Sequence, residues 1–280
     1  MHIVRIGEPM SNLLMRILTA IVFAAIALFL TWEGGFLFAL FAWCVGGFVL
    51  YEWRGISKSC WRQIDEIIAS VAYIIFGILL VADFSAPLVF VVIFLCAIVL
   101  ALVAGRKAGW VAGGYLYATL PVLSLTYIRG EEPFGFGAII FLFAIVWGTD
   151  IAAYFNGRSL GGPKLAPKFS PNKTWSGAIG GALAGTAGGC LVAFVALDTT
   201  PANLFIPLLS LALSIVSQIG DISESWVKRH FGVKDSGHFL PGHGGFMDRV
   251  DGLVFAAILL YLVGAIAADM TVPSNMFNLI

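Results

Sequence analysis

Thirty residues near the C-terminal end, Ser223 to Gly252, read SESWVKRHFGVKDSGHFLPGHGGFMDRVDG. They gather carboxylates, lysines, arginines, histidines and glycines in a chain that is otherwise mostly apolar. Just before and into this run, Ser214, Ser217, Gln218, Asp221, Glu224, Ser225 and Lys228 step by three or four, which draws one polar stripe on a helix. Asp248 and Asp251 are three apart and share a face if helical. Oxygen ligands with no cysteine beside them suit a hard cation, Mg²⁺ before Zn²⁺. His238 and His243 lack a zinc-type ligand pattern around them. Lys228, Arg229, Lys234 and Arg249 supply cations, and Gly242, Gly244 and Gly245 supply adaptable backbone. Cations, a divalent metal and flexible backbone are what phosphoryl transfer requires, a chemistry of positioning and charge neutralisation.

A second polar island lies upstream. One apolar run ends WGTDIAAYFNGRSLGG and continues PKLAPKFSPNKTWSG. Asp150 and Tyr154 are four apart on one helix face. A carboxylate within a span costs roughly 3 kcal/mol on insertion scales, so Asp150 is a functional candidate before it is a structural partner. Arg158, Lys164, Lys168 and Lys173 follow among glycines and prolines, a composition suited to a polyanion. The preference for cations on the cytoplasmic side explains their sign, but not the crowding of Ser170, Asn172, Thr174 and Trp175 around Lys173. A helix beginning directly after them would turn its N-terminal amides toward an anion.

The elements that must position these residues are membrane spans. Hydrophobic residues make up 60% of the chain and charged ones 11%, against about 25% charged in an ordinary soluble domain. Apolar runs fall near 12–30, 35–51, 64–82, 86–103, 109–128, 134–155, 177–197, 202–224 and 252–268, each long enough for about 30 Å of hydrocarbon. Only helices suit such runs. The expectation is an all-α polytopic integral membrane protein of about nine transmembrane helices. The first run is followed by no small-residue cleavage site and reads as a retained helix. All but Arg129 of the 16 Lys and Arg residues fall on one side of this arrangement. The positive-inside rule then puts the N-terminus in the cytoplasm, the C-terminus outside and both polar islands at the cytoplasmic face. We expect one membrane domain over 1–280, with scaffold spans in 1–128 and catalytic spans in 134–268 carrying polar loops at 156–176 and 225–251. Gly177, Gly181, Gly185 and Gly189 clear one helix face, either for packing inside the monomer or for a homodimer seam.

Cys44, Cys60, Cys96 and Cys190 are scattered, so neither disulfides nor a zinc ribbon is expected. There is no P-loop, no strand-linked GxGxxG, no HExxH and no GxSxG. A clear internal repeat is also absent, which weakens a transporter reading, and no nucleic-acid partner is expected.

The run that begins at Ser225 and passes through Lys228, Arg229, Lys234, Asp235, Gly237, Pro241, His243, Gly244 and Gly245 to Asp248, Arg249 and Asp251 resembles the signature of the phosphatidate cytidylyltransferase (CDP-diacylglycerol synthase) family. GTDIAAYFNGR, KLAPKFSPNKTWSGAIGG and QIGD are similar to the family as well. The resemblance covers roughly the last half of the chain. It implies the reaction of CTP with phosphatidate to give CDP-diacylglycerol and pyrophosphate, with Mg²⁺. It also implies metal ligation by Asp221 and Asp248, extended here to Asp251. Lys173 joins Asp221 and Asp248 as a catalytic candidate. Asp150, Asn156, Arg158, Lys164, Lys168, Ser170, Thr174, Lys228, Arg229, Lys234, Asp235, His243, Gly244, Gly245 and Arg249 are substrate-binding candidates. The expected setting is the bacterial inner (cell) membrane, with lipid as solvent and substrate. The rival readings are a CTP-dependent lipid-alcohol kinase and, further off, a transporter.

Overall fold

A computed structural model describes residues 12–197, 199, 204–237 and 244–279. The described residues form nine long helices: α1 (Asn12–Glu33), α2 (Gly35–Ile56), α3 (Gln63–Val81), α4 (Ala86–Ala104), α5 (Ala108–Arg129), α6 (Pro133–Leu160), α7 (Trp175–Ala196), α8 (Phe205–His230) and α9 (Met247–Ala267). Seven helical stretches are long and apolar enough to cross a membrane. One of them, Ala86–Arg129, contains both α4 and α5, joined by a tight 3-10 turn at Gly105–Lys107. The described apolar part of α1, Leu18–Glu33, is shorter. Large apolar side chains such as Ile21, Phe29, Ile78, Leu102, Leu183 and Ile266 point outward, as a lipid solvent demands. The all-α polytopic membrane reading therefore holds.

Local chemistry sets the helix ends. Asp65 caps the start of α3: the Arg62 backbone N–H and Nε each donate to its Oδ2 at 2.9 Å. Pro133 opens α6, where its missing N–H costs nothing. Thr174 opens α7 by accepting the Gly177 N–H at 3.1 Å. At Gly161 the backbone turns to φ 61°, a conformation that frees the chain from α6 at no steric cost.

The structure departs from the sequence reading at the polar ends. The segment expected to be a loop over 156–176 is helical to Leu160 and then forms a two-stranded antiparallel hairpin, β1 (Lys164–Ala166) with β2 (Ser170–Thr174). The expected loop 225–251 is also shorter, because α8 runs on to His230 and α9 starts at Met247. Hydropathy marks where a chain meets lipid. A helix continues past that depth wherever its polar side chains reach water or partners.

The glycine row of α7 packs inside the chain. A Cβ added at Gly177 would lie 2.8 Å from the Ala153 carbonyl of α6, and one at Gly181 2.8 Å from the Thr149 carbonyl. At Gly185 it would lie 2.2 Å from Thr149 Oγ1, and at Gly189 2.5 Å from Ser210 Oγ of α8. Of the two readings of this row, packing within the monomer is the one seen. The polar stripe of α8 faces inward too. Ser210, Ser214, Ser217 and Glu224 are all buried. Thr149 and Ser214 share a hydrogen bond of 2.6 Å between α6 and α8, and Gln218 donates to the Ala178 carbonyl of α7 at 3.3 Å.

Gly185→Leu should therefore cost at least about 1–3 kcal/mol by overpacking, visible as a lower Tm in detergent. Gly113→Ala, where an added Cβ meets nothing within 4 Å, should leave Tm unchanged or raised.

Candidate active site

Helices α6, α8 and α9 and the hairpin converge on a group of acids. On α8, one turn separates Glu224 from Lys228, and the two pair at 2.8 Å. The same ammonium group reaches Asp248 Oδ1 at 2.6 Å, in the first turn of α9. Asp248 Oδ2 accepts two backbone N–H groups, from Ser236 at 3.1 Å and Gly245 at 3.0 Å. Lys228 and Asp248 are both largely buried, and Glu224 is only 1% exposed. One lysine thus joins two helices by pairing with a carboxyl group from each. Asp248, free at the sequence level to be read as a ligand, also organises the backbone before α9.

A second pair lies next to this one. Lys173, on β2, forms an ion pair with Asp221 of α8, and both remain partly exposed. Gly220 lets α8 approach α9 closely: a Cβ there would lie 2.6 Å from the Asp251 carbonyl. Asp251 consequently falls within electrostatic reach of Asp221, Glu224 and Asp150. Asp150, from α6, senses both Asp221 and Lys173. Lys173 and Lys228 supply the cations seen paired directly with this acidic group.

Other expected residues have local partners. Asn156 donates to the Ala152 carbonyl at 2.9 Å within α6. Arg158 meets the Tyr154 hydroxyl at 3.1 Å. Thr174 caps α7. Ser170 lies in the hairpin opposite Ala166. Arg229 donates to the Phe169 carbonyl at 3.4 Å and to the Val233 carbonyl at 3.1 Å, which ties the hairpin to the end of α8. Lys164, Lys168, Lys234 and Asp235 are exposed. Gly244 adopts φ 83° close to Asp248, and Arg249 stands at the wall of a cavity described below. His243 and His238 lie outside the described residues.

No three His, Cys, Asp or Glu side chains converge at metal-ligand spacing among the described residues. The donor chemistry nevertheless fits Mg²⁺. The gathered groups are all carboxylates, and Glu224 Oε1 is buried with no hydrogen-bond partner. Mg²⁺ usually takes one or two carboxylates and completes its shell with water and substrate phosphates. Asp221 and Asp251 suit that mode. Asp248 is more committed, since its two oxygens already hold three donors.

Three features were not anticipated from sequence. Glu52 of α2 is buried at 2% exposure and reaches the start of α9. Tyr117 of α5 presents a buried hydroxyl, without a hydrogen-bond partner, within electrostatic reach of Glu224, Asp251, Asp221 and Asp248. A cavity of about 450 Å³ lies beside the acids, walled by α1, α2, α5, α6 and α9. Phe23, Phe41, Val45, Phe143 and Leu253 line it, with Asp150 and Arg249 as its charged residues. The sequence signal for Glu52 was a lone acid inside LYEWRG, at the end of an apolar run. Tyr117 had no comparable signal.

Residues 14–267 match the cytidylyltransferase family. The phosphatidate cytidylyltransferase of Brucella suis biovar 1 is 56% identical over 96% of this chain and 99% of its own length. That of Pseudomonas aeruginosa is 36% identical over 87% of this chain and 96% of its own length. That of Bacillus subtilis is 31% identical over 92% and 99%. With the match running through the first helices as well as the acid-bearing ones, the chain belongs to the cytidylyltransferase family.

Proposed function

We propose that this chain is a phosphatidate cytidylyltransferase, which joins CTP to phosphatidate to form CDP-diacylglycerol and pyrophosphate. The observation that carries the reading is the juxtaposition of the acid–lysine group with the apolar cavity. Asp150 lines the cavity and also interacts with Asp221 and Lys173, so the two sites meet there, with Arg249 on the cavity wall. A soluble nucleotide partner alone would not call for the second.

In the reaction, a phosphate oxygen of phosphatidate attacks the α-phosphorus of CTP. The new P–O bond forms as the bond from the α-phosphorus to the bridging oxygen breaks, and pyrophosphate leaves with that electron pair. The nucleophile is anionic near neutral pH, so no general base is required. The barrier is the repulsion between two polyanions. Mg²⁺, when bound through Asp221 and Asp251, with Asp248 near them, would screen that repulsion and polarise phosphoryl oxygens. Lys173, a quarter exposed, is placed to turn from Asp221 toward a phosphate group. Lys228 serves as the buried counter-charge between Glu224 and Asp248, which keeps the α8 and α9 acids in register. Arg249 and Arg229 add positive charge at the rim. The cavity takes an acyl chain, with its aromatic and aliphatic walls replacing bilayer contacts.

The distribution of lysine and arginine favours a cytoplasmic site in a bacterial inner membrane, with the N-terminus on the same side. A homodimer would need a seam other than the α7 glycine row, which α6 occupies.

The deciding assay is turnover in detergent micelles with labelled CTP and phosphatidate. Pyrophosphate release supports this reading. Release of CDP with γ-phosphate transfer would support a lipid-alcohol kinase instead. Chelating divalent ions should stop turnover, and Mg²⁺ should restore it. Asp221→Asn and Asp248→Asn should each lower kcat by about 10²–10³-fold, the usual loss for one electrostatic group, while membrane insertion stays intact. Val45→Trp, which fills the cavity, should raise KM for long-chain phosphatidate more than for short-chain phosphatidate and leave KM for CTP unchanged.

A further inference from the structure

We infer that Glu52, on the second helix, is a positioning residue for the reaction: it sets the start of α9, and with it the placement of Asp248, Arg249 and Asp251. The inference rests on the cytidylyl-transfer reading above. The first helices then belong to the site as well as to its scaffold.

The geometry is specific. Glu52 Oε1 accepts the Phe246 N–H at 2.9 Å. Oε2 accepts the Met247 N–H at 2.8 Å and the Ser236 hydroxyl at 2.9 Å. Phe246 and Met247 open α9, and their amides are among those a helix cannot satisfy itself. A carboxylate held there also opposes the positive end of the helix dipole. Asp248 takes the neighbouring amides, Gly245 and Ser236. Two carboxylates from different helices therefore divide three successive N–H groups, 245 to 247, and both hold Ser236. Phe246 adds a ring stack on Phe48 of α2, with centroids 4.6 Å apart.

Glu52 also accounts for two glycines of the signature run. A Cβ at Gly245 would lie 2.4 Å from Glu52 Oε2 and even closer to Ser236 Oγ, at 1.9 Å. At Gly237 a Cβ would lie 2.5 Å from Glu52 Oε1, and the nearest atoms it meets are all from Glu52. Gly237 is small, on this argument, because Glu52 occupies the space in front of it.

The test compares Glu52→Gln, Glu52→Ala, Gly237→Ala and the Glu52→Ala/Gly237→Ala double variant, each as the full chain in detergent. Thermal unfolding and gel filtration normalise the rates to folded protein. A displaced first turn should lower kcat by up to about 10²-fold with KM for CTP little changed. Glu52→Gln, which keeps one acceptor oxygen and the volume, should fall between the wild type and Glu52→Ala. Gly237→Ala should impair the wild type and add nothing to Glu52→Ala, the non-additivity expected of two groups in contact. Wild-type kcat per folded molecule in Glu52→Gln and Glu52→Ala would overturn the inference, as would additive losses in the double variant. A wild type that turns over phosphatidate without releasing pyrophosphate would instead sink the underlying reading, so the two failures are distinguishable.

Discussion

A carboxyl group buried in a protein surrounded by lipid stays charged where a counter-charge or a set of N–H donors meets it, and otherwise keeps its proton. That constraint organises this molecule. Glu224 and Asp248 meet it by sharing Lys228, and Asp248 adds two amides. Glu52 meets it with two amides and a hydroxyl. Each solution binds one element to another: α8 to α9, α9 to the residues before it, and α2 to both. Breaking one member of such a buried pair typically costs about 3–5 kcal/mol, because the remaining charge has nowhere to go. The charged groups proposed to serve the chemistry are thus also fasteners of the fold.

The apolar architecture makes room for this. Close packing of α7 on α6 through Gly177, Gly181 and Gly185 brings the base of the hairpin, and so Lys173, to the end of α6. Gly220 brings α8 against α9 at the level of Asp251. Thr149 and Ser214 bond to each other between α6 and α8, and Ser210 Oγ sits against Gly189 of α7. Trp110 stacks on Trp226 and His230 at the far end of α8, and Trp53 donates to the Trp110 carbonyl at 2.9 Å. The end of α8 is thereby fastened to α5 and α2.

The local features of the sequence were the legible ones. Apolar runs located the helices because lipid imposes their length, and the step of three or four in Ser214 to Lys228 correctly turned that face inward. The spacing of Asp248 and Asp251 placed both at the start of α9. Helix ends were less legible, since Asn156, Arg158, Ser225 and Arg229 are polar yet helical. The hairpin was missed because its strands are three and five residues long, too short for an alternating pattern to stand out. Glu52 and Tyr117 were missed for a different reason. What sets them apart is which distant segment they reach, and no local period or composition encodes that.

The bond from Glu52 to the Met247 amide spans 195 positions. During synthesis, α2 enters the membrane long before α9 exists, and its carboxylate has no partner until nearly the whole polypeptide has emerged. Long-range contacts of this kind close late. A chain that stops short of α9 therefore leaves Glu52 without the Phe246 and Met247 amides that satisfy it.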